Sequence, residues 1–165
     1  MPALAPVLLV RVAVPTDFAA IAELTERVYG DGGFSNPGYV PVLRDVAGRA
    51  ASTTVLVALL DDVPVGAVAI ATRGGSYAEQ AGPGEAVMRM LAVSESARGA
   101  GAGAGLIRAC IDTARADGCA ALMLSTQRAM TTAHRLYEKA GFLRTPARDR
   151  SPLPGMDLLT YALAL

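Results

Sequence analysis

The chain has no surplus of either charge: fifteen Lys and Arg residues stand against fifteen Asp and Glu residues. A nucleic-acid reader normally needs a basic face to neutralise phosphates, so the composition gives no support to a DNA or RNA partner. Cysteine is scarce, with only Cys110 and Cys119, and neither has metal-ligand partners at useful spacing. Two reduced thiols are expected, with no metal site and no disulfide framework. Histidine occurs once, at His134, and lysine once, at Lys139. No uninterrupted apolar run approaches the roughly 20 residues that a membrane-spanning helix requires. The apolar opening Met1–Val10 carries no basic residues and is broken by Arg11, so it reads as a leading strand and not as a signal peptide. The expectation is a cytoplasmic protein without a membrane or nucleic-acid partner.

What is present is a core-forming composition, 52% hydrophobic and 18% charged over 165 residues, which suits one domain, 1–165. Leu8–Val14 is β-rich, and Pro15-Thr16-Asp17 starts a helix whose Phe18, Ile21, Leu24 and Val28 recur at helical spacing up to Gly30. Tyr39–Ala50 reads as a second helix. Thr54–Leu60 and Val65–Ala71 read as a hairpin joined by Asp61-Asp62-Val63-Pro64. After a glycine-rich loop, Ala86–Val93 is a nearly continuous apolar strand broken only by Arg89, the pattern of burial on both faces. Helix Gly103–Ala116, strand Ala120–Ser125 and helix Thr131–Ala140 follow, the last stopping at Gly141. Phe142–Arg144 and Leu158–Leu165 read as closing strands. One mixed α/β sheet accounts for the chain, with no linker and no repeat.

The informative segment is Arg98-Gly99-Ala100-Gly101-Ala102-Gly103-Ala104-Gly105, between a strand and an amphipathic helix. A helix start has backbone N–H groups without partners and partial positive charge. Glycine lets a phosphate approach without meeting a Cβ, and Arg98 adds a charge-assisted donor at the mouth. The segment therefore suits a diphosphate. No Gly-Lys-Ser or Gly-Lys-Thr follows, so it is not a Walker-type loop. Gly99, Gly101 and Ala104 do satisfy G-x-G-x-x-A, which keeps a dinucleotide in view. Against it, the next strand ends Leu124-Ser125-Thr126 with no acidic residue for a ribose, and the strands upstream read as antiparallel.

The spacing Arg98-x-x-Gly101-x-Gly103 after Arg89-Met90-Leu91-Ala92-Val93, followed by Ala133-His134-Arg135-Leu136-Tyr137-Glu138-Lys139-Ala140-Gly141-Phe142, resembles the two motifs of the GNAT family of N-acetyltransferases. The resemblance covers the whole order of elements. It implies a single GNAT-like α+β domain: a mixed, mostly antiparallel sheet flanked by helices, with a parallel strand pair at the cofactor site. It also implies acetyl-CoA as co-substrate and transfer of the acetyl group to a primary amine of a small molecule or peptide by direct attack. A homodimer would be in keeping with the family, and a non-catalytic acyl-CoA-binding or sensing domain is the other reading.

Carried over residue by residue, the resemblance assigns the diphosphate cradle to Arg98, Gly99, Ala100, Gly101, Ala102, Gly103 and Ala104. Backbone groups of Leu91 and Val93 would pair with the pantetheine arm, and Ala133 would lie beside it. Met130 stands where many members have an asparagine that helps hold that arm. Tyr137 would hold its hydroxyl near the sulfur as general acid, or else simply pack at the helix–sheet seam. Glu85 stands where some members place a base carboxylate; a solvated residue closing the loop is the other reading. Acceptor specificity falls to Gly30–Val40 and Thr145–Met156, where Arg148 and Arg150 would orient an acceptor carboxylate or be solvated.

Overall fold

The computed structural model describes residues 1–165. Eight strands form one sheet in the order β1-β2-β3-β4-β5-β8-β6, with β7 pairing off β8. The strands are β1 (Leu8–Val12), β2 (Thr54–Leu60), β3 (Val63–Ala71), β4 (Glu85–Val93), β5 (Ala121–Gln127), β6 (Leu143–Arg144), β7 (Arg150–Leu153) and β8 (Met156–Ala164). The helices are α1 (Phe18–Asp31), α2 (Val40–Arg44), α3 (Val46–Ser52), α4 (Ala102–Ala116) and α5 (Thr131–Lys139). Every pairing is antiparallel except β4 with β5. The fold class expected from the sequence is the one observed.

Strand alternation sorts the core into two layers. Val55 and Val57 of β2 and Ala67 and Ala69 of β3 pack with Ile21 and Ala22 of α1 and Val46 of α3. Their neighbours Leu56, Ala58, Val68 and Ile70 point the other way, onto Leu106, Ile107 and Cys110 of α4, in the larger core that also takes in Tyr137. Both cysteines are free thiols, and burial pushes the Cys110 thiol well above its ordinary range.

Three local expectations are corrected. The second helix is two: Asp45 leaves helical geometry (ψ 67°) and its carboxylate accepts from Gly48 N–H at 2.9 Å, capping α3 and ending α2. The first hairpin turns on two residues instead of four, because Asp61 and Asp62 both take positive φ, 49° and 66°. Val63 and Pro64 thereby join the strand, in the tight turn that matches sheet twist. Finally, a further strand, β7, lies between the two expected closing strands; its fully exposed Arg-Ser-Pro-Leu carries no apolar alternation to signal it. No helix is long and apolar enough to cross a membrane.

Candidate active site

The sheet opens where β4 and β5 part. Their parallel pairing runs from Glu85 with Ala121 to Met88 with Leu124 and stops there. On the other edge of β4, Ala69 pairs with Arg89 and Ala67 with Ala92, so β4 spends one residue more than β3. The surplus is a bulge at Met90, a non-glycine residue held at φ 57°. Such a backbone costs on the order of 1–3 kcal/mol and survives only where packing over-determines it. Its effect is to turn β4 away from β5 and leave a throat lined by Tyr29, Met90, Leu91, Thr126 and Tyr137.

Past the end of β4 the glycine run leads into α4. Gly99 and Gly101 adopt left-handed φ of 82° and 86°, which a side chain would resist. Gly105 N–H closes the first α4 bond, to Gly101 O at 2.9 Å, while Ala100 N–H is spent on Ala97 O. The amides of Gly99, Gly101, Ala102, Gly103 and Ala104 donate to nothing within the protein. Arg98 is exposed and in no ion pair. Gly103 has a second duty: a Cβ there would meet Leu136 Cδ1 of α5 at 3.0 Å. Ala133, one turn earlier on α5, packs half-buried against the same core.

Tyr137 stands inside the throat, 5% exposed and wedged between Phe142 and Tyr161 at ring-centroid distances of 6.0 and 5.9 Å. Its hydroxyl has no hydrogen-bond partner in the protein, and burial pushes its phenol far above the usual range. It is therefore a neutral donor at any physiological pH. Tyr29 reaches across from α1 to donate to Leu91 O at 3.4 Å, and Val93 remains in the pairing with β3. Thr126 Oγ1 is buried at the throat without a partner. His134 is turned to Gln127 O at 3.0 Å, and nothing in its geometry adds it to the site.

Beyond the throat lies a cavity of about 500 Å³, sharing Tyr29, Arg89, Met90, Ser125, Thr126 and Met130 with it. Phe34 and Tyr39 close one side, in the Gly30–Val40 segment expected to shape the acceptor site. Arg150, Leu153 and Met156 close the other, in Thr145–Met156. Gln127 Nε2 donates to Phe34 O at 2.8 Å and so pins the first wall to β5.

The structure does not bring Glu85 to this cavity. Its carboxylate takes both Arg148 nitrogens at 2.9 Å and the Gly82 N–H at 3.0 Å. The arginine, in first place, holds the Glu85 carboxyl below its usual range. A carboxylate so neutralised is a poorer base than a free one, which speaks against the role expected for it. The carboxylate on the cavity wall is Glu79. Sequence reasoning also passed over Arg89, which lines the cavity with its guanidinium 5.1 Å from the centre of the Tyr77 ring. Its signal was available: it is the one charge that breaks the apolar run Ala86–Val93.

The fold has counterparts among solved structures. An acetyltransferase of the GNAT family from Staphylococcus aureus Mu50 superposes with TM-score 0.76 at 14% identity, over 96% of this chain and 99% of that one. Salmonella typhimurium yncA, solved with its cofactor acetyl-CoA, gives 0.71 at 20% identity, covering 96% and 94%. The ribosomal-protein-S18-alanine N-acetyltransferase from Escherichia coli gives 0.72 at 18% identity, again over 96% and 94%. Among curated proteins none matches this chain. The sequence model of the acetyltransferase (GNAT) family, however, matches residues 18–142, from the start of α1 to the buried Phe142 that supports Tyr137. That stretch is well over half of the sequence and contains the split strands, the cradle and α5: the chain belongs to the GNAT family of acetyltransferases.

Proposed function

We propose that the protein is an acetyl-CoA-dependent N-acetyltransferase that acetylates a primary amine of a small molecule or peptide by direct attack. The observation that carries this reading is the throat between β4 and β5. Past the end of β4 are five unspent backbone amides, and the protonated phenol of Tyr137 lines the throat, which shares six lining residues with the 500 Å³ cavity. The residues present fit the donor. Gly99, Gly101, Ala102, Gly103 and Ala104 offer N–H groups to a diphosphate, Arg98 adds charge, and the unpaired edge of β4 at Leu91 and Val93 suits the amides of a pantetheine arm. When bound, acetyl-CoA supplies an acetyl thioester and a thiol leaving group.

The chain's own residues then have separable tasks. Tyr137 holds a proton on its hydroxyl for the departing thiolate, a step that favours a donor fixed by packing. Thr126 and Tyr29 set the width of the throat. The amine must lose a proton before or during attack, since a lysine-like amine has a pKa of about 10.4. Glu79, at the exposed rim, gives that proton a carboxylate on its way to solvent. Glu85 and Arg148 brace the loop behind the cavity and stay out of the chemistry.

The test is thiol release from acetyl-CoA over a panel of amines, read alongside calorimetry with coenzyme A. Acceptor-dependent release, lowered about 100-fold in Tyr137→Phe with little change in the KM for acetyl-CoA, is the expected result. Tight coenzyme A binding with no turnover of any amine would instead make the protein an acyl-CoA-binding or sensing domain.

A further inference from the structure

The Thr145–Met156 segment contains two arginines that the sequence treats alike, and the fold separates them. Arg148 is consumed by Glu85, and nearby Arg144 by Asp149 at 2.8 and 2.6 Å. Arg150 has no carboxylate partner. It projects from β7 to the cavity rim, where Gln80 receives it. With the Gln80 amide oriented by its surroundings, the nitrogen donates to Ser125 Oγ at 2.7 Å and the oxygen accepts from Arg150 Nη2 and from Arg150 Nε at 3.0 Å, leaving Nη1 of Arg150 free. Arg89 is likewise in no ion pair and makes no hydrogen bond. It is half-buried on the central strand with its guanidinium against Tyr77, 5.1 Å from the ring centre. Both cations therefore stand on supports that leave donor hydrogens free. A third guanidinium, that of Arg49, lies only 2% exposed next to Tyr77. It is tied to the Val42 and Leu43 carbonyls at 3.0 and 3.3 Å, with no carboxylate in an ion pair.

A half-buried, unpaired guanidinium such as that of Arg89 is costly unless something negative completes it, and the wall adds the exposed Arg150 against the single carboxylate of Glu79. From this we infer that the acceptor is a small amine that also carries a carboxylate, of the amino-acid type. Its carboxylate is received by Arg89 and Arg150, and its body packs on Phe34, Met156 and Leu158. The inference rests on the acetyltransferase reading above and narrows its acceptor. The arginine fork offers paired donors to both carboxylate oxygens, which fixes the orientation of the amine as well as holding it. A cavity of 500 Å³ is of a size for a small molecule rather than a folded domain.

The experiment is a matched acceptor series on the full chain with acetyl-CoA: several amino acids, each beside its α-carboxamide and its decarboxylated amine. The expected result is kcat/KM about 100-fold higher for the acids, mostly through acceptor KM. In Arg89→Gln that preference shrinks to within about 5-fold, and Arg89→Lys restores part of it because the charge returns without the fork. Arg150→Gln lowers it by about 10-fold. Should Arg89→Gln not fold, the wild-type series and Arg150→Gln carry the same test. Amides and decarboxylated amines acetylated as well as the acids, or turnover only of uncharged amines or peptides, would overturn the inference and leave the acetyltransferase standing. No thiol release with any acceptor strikes the underlying reading, and the inference falls with it.

Discussion

Arg148 closes on Glu85 in a two-pronged ion pair, Nη1 to Oε1 and Nη2 to Oε2, each at 2.9 Å. Arg148 Nη2 also reaches the Gln80 carbonyl at 2.8 Å, so the pair joins the segment before β7 to the loop before β4. The pair is only partly shielded, with side-chain exposures of 33% and 20%, and contributes about 1 kcal/mol once solvent screening is allowed for. Glu85→Gln is thus expected to lower Tm by about 2–4 °C and kcat/KM by less than about 10-fold. Because the folded-state carboxyl is shifted down, its stabilisation is complete above the unfolded carboxylate range and fades as pH falls through the folded value. A 100-fold loss of kcat, with the disappearance of one limb of the pH–rate profile, would instead return Glu85 to the role of base.

Tyr137 offers a cleaner separation of chemistry from stability. Its hydroxyl makes no hydrogen bond inside the protein, while its ring is held by Phe142 and Tyr161. Phenylalanine keeps the ring and removes only the proton donor. Tyr137→Phe is expected to change the unfolding free energy by less than about 1 kcal/mol while kcat falls about 100-fold. Thermal unfolding and steady-state kinetics on one preparation check both halves. A kcat within threefold of wild type would take the proton donor away from Tyr137.

How far the sequence could be read depended on whether a residue's signal was local. Gly101 and Gly141 announce backbone conformations that no other residue takes easily, and both have left-handed φ, 86° and 97°. The cradle and the end of α5 were therefore legible. The partners of Glu85 were not, since Arg148 lies 63 positions away and the pairing depends on β8 returning beside β5. The bulge at Met90 left no trace either: methionine carries no preference for positive φ, and only the register against β3 imposes it. Arg89 was visible as a charge in a buried strand, but its meaning required knowing that the face it shares with Val87 opens on a cavity.

The two inner glycines of the cradle separate ligand binding from packing. At Gly101 a Cβ would make only an ordinary contact, with Leu8 Cδ2 at 3.8 Å, but the backbone is left-handed, so Gly101→Ala brings strain of about 1–2 kcal/mol and disturbs the amides aimed outward. At Gly103 the conformation is helical, and the obstacle is Leu136 Cδ1 at 3.0 Å, a flexible side chain that gives way to one methyl but not to a branched group. Calorimetry with coenzyme A is expected to show Gly101→Ala binding about 10-fold more weakly and Gly103→Ala nearly unchanged. Gly103→Val, which forces α5 away from α4, is expected to lose turnover through Tyr137. Equal affinities for wild type and Gly101→Ala would mean that the diphosphate is held elsewhere.

Acid weakens the contacts around β8 in a window set by Asp149. Asp149 accepts from Arg144 Nη1 at 2.8 Å and Nη2 at 2.6 Å and from Thr160 N–H at 2.8 Å, and the Arg144 guanidinium, the largest influence, holds its carboxyl down to about 2. An unfolded aspartate titrates near 3.9. The folded state therefore binds fewer protons between these values, and the stabilisation present above about pH 4 is lost as pH falls toward 2. Asp149→Asn removes the charge at every pH. Its destabilisation relative to wild type is expected to be constant from pH 5 to 8 and to shrink toward zero near pH 2, read from urea unfolding at each pH. A gap that stayed constant down to pH 2 would mean that the hydrogen bonds of Asp149, and not its charge, hold Arg144 and the Thr160 backbone together.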